Sequence, residues 1–146
     1  MCKPEFYFGV EPDARRVGLA KRLYPSHRFA LFDEKRIPVE NDSMDYIVVI
    51  AVFHHLHDGQ IKDYLSEFER ILKPDGRIIA LEPCLFDHTP FHNRFMNWFD
   101  DGKYIRTEAD YLNFFHGGQY QCQVLKKFTK GFVYNEILFS AQRNGS

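Results

Sequence analysis

The stretch Tyr46-Ile47-Val48-Val49-Ile50-Ala51 decides how the chain is read. It is apolar at every position, rich in β-branched side chains, and without alternation. A run of that kind fits a strand covered on both faces, as in a parallel sheet. Downstream, Asp58 stands where a helix N-cap belongs. Ile61, Tyr64, Leu65, Phe68 and Leu72 then recur at helical spacing as one apolar stripe. Lys73-Pro74-Asp75-Gly76 stops that helix. Ile78 to Leu81 reads as the next strand and runs into Glu82-Pro83.

Upstream, Phe6 to Val10 is a short aromatic-rich strand ending in Glu11-Pro12-Asp13. Pro12 and Asp13 suit the first turn of a helix, along which Val17, Ala20, Leu23 and Tyr24 fall at helical spacing. Pro25 and Ser26 end it. Arg28 to Phe32 is a second strand, followed by Asp33-Glu34, and the polar segment Ile37 to Asp45 is a loop. This alternation predicts an α/β fold with a parallel sheet and right-handed crossovers. Beyond Pro83 the character changes. Phe91 to Phe99 reads as helix, and Thr107 caps a short helix through Phe115, with Asp110 completing a capping box. Gly117-Gly118 breaks it. Gln119 to Phe128 and Phe132 to Ala141 form an antiparallel hairpin through Thr129-Lys130-Gly131. The chain divides as one domain, 1–146, with an α/β core at 1–83, a helical lid or substrate segment at 84–118 and a β-hairpin at 119–143.

Composition agrees with a single domain. There are 146 residues with 19 basic against 20 acidic side chains, so no overall charge draws the chain to nucleic acid or anionic lipid. No apolar run is long enough to span a membrane. The three cysteines, Cys2, Cys84 and Cys122, follow no metal-ligand spacing, and a reduced, cytoplasmic setting is expected.

Three strands end in acids: Glu11, Asp33 and Glu82. Open α/β sheets hold ligands beyond the carboxyl ends of their strands. A carboxylate at one tip can accept both hydroxyls of a ribose, and an Asp at the next can accept from an exocyclic amine such as adenine N6. Equally, acids favour helix N-termini and solvated loops. The spacing of Glu11 and Asp33, in successive β–α units, favours the nucleotide reading.

Gly9 to Asp13, Phe32 to Ile47, Val52-Phe53-His54-His55-Leu56 and Glu69 to Arg77 together resemble consecutive signatures of class I S-adenosylmethionine-dependent methyltransferases of the small-molecule type. Each motif alone is common; four in this order are specific. The resemblance is strong over residues 6 to 83 and continues more weakly through Asp100 to Thr107. It implies a Rossmann-like methyltransferase fold, S-adenosyl-L-methionine as cofactor and a small-molecule methyl acceptor with an O, N or C nucleophile. By the same resemblance Glu11, with Pro12 beside it, would hold the ribose hydroxyls. Asp33 would meet the adenine amine with Glu34 beside it, and Ile50 and Ala51 would line the cofactor with backbone. His55 would sit near the methionine end. The 84–118 segment would be the substrate lid.

The family's first strand and its glycine-rich loop should precede Phe6, yet none of the nine glycines forms a Gly-x-Gly. That loop lets backbone approach the cofactor where a Cβ would obstruct it. The chain is therefore expected to be N-terminally truncated, to borrow a strand from a partner, or to close its sheet differently, and to bind cofactor weakly or not at all. A strand edge left open, with many aromatics, also invites a homodimer.

Other candidates are weaker. His54, His55, His57 and Asp58 match no zinc motif, so no metal is expected. His88 and His92, four apart, could share a helix face and act as general bases alongside His55, or form a solvated polar face. Phe91, Phe95, Trp98, Phe99, Phe114 and Phe115 could line a substrate pocket or pack the lid on the sheet. Cys84 reads as a small buried thiol. Lys126, Lys127 and Lys130 read as guards of a sheet edge. A non-catalytic module of the same ancestry, serving in assembly or regulation, is the alternative to an enzyme.

Overall fold

The structure, a computed structural model, describes residues 3–33, 35–100, 102–115, 120–131 and 133–144. Glu34 and the Gly117-Gly118 breaker lie outside the described residues. The chain falls into two compact units, one up to Glu40 and one from Asn41.

In the first unit, β1 (Phe8–Glu11) pairs in parallel with β2 (Arg28–Leu31) through α1 (Ala14–Leu23). Asp13 is the N-cap of α1, its side chain accepting from the Arg15 N–H at 2.7 Å; the cap satisfies a donor that the helix itself cannot. Val17 is the buried residue of the α1 stripe, while Leu23 and Tyr24 are exposed. Gly9 is small for a reason. A Cβ there would stand 2.7 Å from the Phe29 ring, which stacks edge-on with Tyr7.

In the second unit, β3 (Met44–Ile50) runs parallel to β4 (Leu72–Leu85). β7 (Tyr134–Arg143) and β6 (Tyr120–Lys130) follow antiparallel, giving the order β3-β4-β7-β6. The predicted hairpin is β6–β7, turning at Gly131 with a φ of 55°. β5 (Arg106–Thr107) adds to the end of β4. The helices are α2 (Asp58–Ile71), α3 (Pro90–Phe99) and α4 (Glu108–Asn113), the last opened by the predicted Thr107–Asp110 capping box. Two expectations are corrected here. The N-cap of α2 is His57, not Asp58: its Nδ1 accepts from the Gln60 N–H while the Gln60 side chain accepts from the His57 N–H. Imidazole can do this because an unprotonated ring nitrogen is an acceptor. And α2 stops at Ile71, before the Lys73–Gly76 stop signal, because Leu72 already pairs with Met44.

Ile61, Leu65 and Phe68 of α2 are buried, as are Ile78 and Ala80 of β4 and Ile137, Phe139 and Ala141 of β7. β3 departs from expectation. Its apolar run was to be covered on both faces, but Tyr46, Val48 and Ile50 are 64, 61 and 61% exposed, against 4% for Val49. Among the described residues β3 pairs with β4 alone, and β1 with β2 alone. The other edge of the larger sheet, β6, carries Lys126, Lys127 and Lys130, with Lys127 paired to Glu108 at 2.7 Å. Among the described residues no helix is long and apolar enough to cross a membrane.

Ile78 has no exposed surface and lies on β4 between β3 and β7. Ile78→Ala is expected to cost about 2–5 kcal/mol of stability, read from urea denaturation.

Candidate functional site

In the first unit, Glu11 is the last residue of β1 and pairs with Leu31, the last of β2; Asp33 follows two residues later. The two acids thus stand at the same end of adjacent parallel strands, as the nucleotide reading requires. Glu11 Oε1 accepts from the Asp13 N–H at 3.1 Å, and Arg16 lies 3.9 Å from its Oε2. Asp33 Oδ1 accepts from the Lys35 and Arg36 N–H groups at 3.1 and 3.3 Å. Those amides, Lys35 first, hold the exposed Asp33 carboxyl below its usual range. Pro12 sits between Glu11 and the α1 cap.

In the second unit, Ile50 ends β3 and Ala51 follows with φ 53°, a left-handed conformation that a Cβ disfavours. Both are exposed. The next three amides converge on one side chain from the tip of β4. Val52 and Phe53 N–H donate to Glu82 Oε1 at 2.8 and 3.0 Å, and His54 N–H to Oε2 at 3.3 Å. Glu82 is 0% exposed. His54, also buried, places Nδ1 3.0 Å from Glu82 Oε2 and Nε2 3.4 Å from Asp100 Oδ1. Asp100 Oδ2 receives the Tyr134 hydroxyl, and burial together with that bond pushes the Tyr134 pKa up. The Tyr104 N–H donates to His54 O at 2.9 Å, and Arg106 donates to the carbonyls of Phe53 and Leu56 at 3.0 and 2.9 Å. A Cβ at Gly102 would collide with the His54 ring.

His55, the predicted site histidine, is exposed beside this network, its ring 4.0 Å from that of His54. His88 and His92 do not share a helix face, because α3 begins at Pro90 and leaves His88 in the preceding turn. His88 is exposed, and His92 Nδ1 is buried without a partner. The aromatics split. Phe115 is buried against Phe53 and Phe139, whereas Phe91, Trp98 and Phe99 are exposed on α3, Trp98 by 80%. Cys84 is buried, and desolvation pushes its thiol up to about 12, which removes it as a nucleophile at neutral pH. No group of three or more metal-ligating side chains occurs among the described residues. The sequence names Glu82 only as a strand-tip acid and His54 only among histidines that match no zinc motif, and it gives Arg106 no role. The signal for them was weak: an ionisable residue within apolar surroundings, which must find a partner.

The profile of a methyltransferase domain matches residues 2–80. A ubiquinone/menaquinone biosynthesis C-methyltransferase from Campylobacter jejuni is 28% identical over 74 residues, 51% of this chain and 31% of the relative. An uncharacterized methyltransferase from Anoxybacillus flavithermus is 30% identical over 87 residues, 60% and 38% respectively. The chain thus spans about a third of the length of these curated relatives. Among solved structures, the YcgJ protein of Bacillus subtilis superposes with a TM-score of 0.76 at 16% identity, covering 94% of this chain and 82% of that one. A Streptomyces coelicolor geranyl diphosphate C-methyltransferase, solved with Mg2+, geranyl diphosphate and S-adenosyl-L-homocysteine, superposes at 0.70 with 13% identity, covering 94% and 64%. At these identities the structural likeness concerns the fold.

Asp33 gives a pH test. A carboxyl held low contributes stability above its unfolded pKa and loses that contribution as pH falls through the folded value. The Asp33 carboxyl is expected to titrate below 3.8, with the Lys35 and Arg36 amide signals moving at that same low pH in an NMR titration. Asp33→Ala should abolish this movement.

Proposed function

This chain belongs to the methyltransferase-domain family, and we propose that it serves S-adenosylmethionine-dependent methyl transfer to a small-molecule acceptor. The observation that carries the reading is the placement of Glu11 and Asp33 at one end of the β1–β2 pair. The chemistry of this donor set fits the adenosine half of the cofactor. A carboxylate accepts two ribose hydroxyls, and a second at the next tip accepts an amine proton. In this role Asp33, whose carboxyl is held low by its amide contacts, takes the adenine amine. Glu11, with Pro12 beside it, takes the ribose and gives up Arg16 to do so. Ile50 and Ala51 line the cofactor with backbone. S-adenosylmethionine supplies an activated methyl group when bound, so what remains for the chain is to align the acceptor, exclude water and remove a proton where the acceptor has one. His55 is exposed and carries an imidazole suited to that proton. His88 and His92 stand on the 84–118 segment, which in this reading covers the acceptor. The exposed aromatics of α3 give that segment an apolar surface for a nonpolar acceptor. Free cysteines at 84 and 122 suit the cytoplasm.

Calorimetric titration with S-adenosylhomocysteine tests this, on this chain and on a form extended at the N-terminus by a strand and glycine-rich loop. Binding is expected in the extended form, and weaker or undetectable binding in this chain. Glu11→Ala should lower the affinity of the extended form by about tenfold, the order of one lost charged hydrogen bond. Failure of both forms to bind overturns the reading in favour of a non-catalytic module.

We also propose that two copies of this chain associate through the edge of β3. The sequence Tyr46 to Ile50, free of charged side chains, offers an edge with no further strand paired to it among the described residues and alternate apolar side chains, which lysines deny on β6. Sedimentation should show a dimer, and Val48→Lys should shift it to monomer. A native chain that sediments only as monomer rejects the association.

A further inference from the structure

A left-handed alanine needs something to hold it. Ala51 has φ 53°, and conformations of this kind in non-glycine residues persist only where the surroundings over-determine them. The surroundings here are specific. The three amides that follow Ala51 all donate to one carboxylate with no exposed surface, Glu82, at 2.8, 3.0 and 3.3 Å. On the other side, Ala51 N–H donates to Leu81 O at 2.8 Å, which fixes the end of β3 to β4 one residue before Glu82. The turn is therefore pinned at both ends by consecutive residues of β4. Its carbonyls are pinned as well: Phe53 and Leu56 accept from Arg106, and His54 accepts from the Tyr104 N–H. His54 joins the two sets of anchors, with one ring nitrogen facing Glu82 and the other facing Asp100.

We propose that Glu82 is the positioning residue of the methyl-donor site: its buried carboxylate holds Ala51 left-handed and so fixes the Ile50–Ala51 backbone at the strand tip. His54 extends the same clamp to Asp100 and to the Tyr104 N–H and ties that part of the lid segment to the turn. Glu82 does not itself touch the cofactor in this assignment. It acts through the backbone, as a support does for a group that must be held to a fraction of an ångström. The assignment rests on the functional reading above, in which Ile50 and Ala51 line the cofactor.

The test uses Glu82→Gln, Ala51→Gly and the double variant, with hydrogen exchange read on this chain and ligand affinity read on the form extended at the N-terminus. Glutamine keeps the shape of Glu82 but turns one acceptor oxygen into a donor that faces amides. Hydrogen exchange needs no ligand. Protection of the Val52, Phe53 and His54 amides should fall at least about tenfold in Glu82→Gln while β4 and β7 stay protected. Chemical-shift titration of the extended form with S-adenosylhomocysteine then reads the site. Glu82→Gln should weaken affinity by about tenfold, the order seen when a supporting shell is loosened. Ala51→Gly alone is the reference against which the double variant is read. In the double variant, the Ala51→Gly change should recover most of the loss, because glycine reaches a positive φ without being forced. A general loss of packing would not be rescued this way. Glu82→Asp, which keeps the charge but shortens the reach, replaces Glu82→Gln if the latter does not fold.

Unchanged protection at residues 52–54 overturns the clamp. So does affinity lost in Glu82→Gln and not regained in the double variant. The exchange contrast without any response to S-adenosylhomocysteine in either this chain or the extended form overturns the functional reading instead, and the two failures are thereby separated.

Discussion

A carboxylate without exposed surface is tolerable only when its lone pairs are taken up, and Glu82 takes them up with three amides and an imidazole. That requirement organises the end of β3. The turn at Ala51 through His54 cannot relax without stranding the carboxylate, and Glu82 cannot move without stranding the amides. The cost of exposing either side is the full desolvation of the other. Arg106 imposes the same logic from the opposite direction. It is buried too, and it is satisfied by the carbonyls of Phe53, Tyr104 and Leu56 and by Asp58 at 2.7 Å. Anionic and cationic groups therefore grip the donors and the acceptors of one short loop.

This arrangement explains why two neighbouring histidines differ. His54 points into the network and is buried, while His55 remains exposed. The sequence offers them as an indistinguishable pair, and the choice of His55 followed the resemblance. What separates them is which one meets the acid on the adjacent strand, and that follows from the register of β3 with β4, where Ile50 faces Leu81. Register over a run apolar at every position leaves no trace in hydrophobic pattern, since alternation is what normally marks it. The helices were legible for the opposite reason. The Ile61, Leu65, Phe68 stripe and the Thr107–Asp110 box are local patterns with one geometric solution, and both appear as read. The α2 cap was misplaced by one residue because His57 serves as an acceptor only through its unprotonated nitrogen, a property that composition does not reveal.

The strand-tip acids were legible because chemistry and topology point the same way. Two β–α units in succession place their C-terminal residues side by side, and Glu11 opposite Leu31 is that geometry realised. Less visible was how engaged the acids already are. Asp33 spends one oxygen on the Lys35 and Arg36 amides, which orders the turn and keeps the group ionised. Glu11 faces Arg16 of α1, a partner too distant for a tight bond and too exposed to compete strongly with a ligand.

β3 carries the strongest conflict between local pattern and observed environment. Its composition belongs to a strand buried on both faces, yet Tyr46, Val48 and Ile50 meet no neighbour that covers them among the described residues. Local preference and surroundings usually agree in a foldable sequence, and it is on this conflict that the proposed association of two copies rests. The contrast with β6 sharpens this. One edge of the sheet is guarded by lysines and the other is left apolar over Tyr46 to Ile50, and the unguarded edge is the one that ends at Ile50 and Ala51. A second copy seated on β3 as proposed would therefore approach the same turn that Glu82 contacts. If Glu82 holds Ala51 as proposed, that second copy would meet a turn already fixed by hydrogen bonds from Val52, Phe53 and His54, so the proposed association would require no rearrangement of residues 52–54.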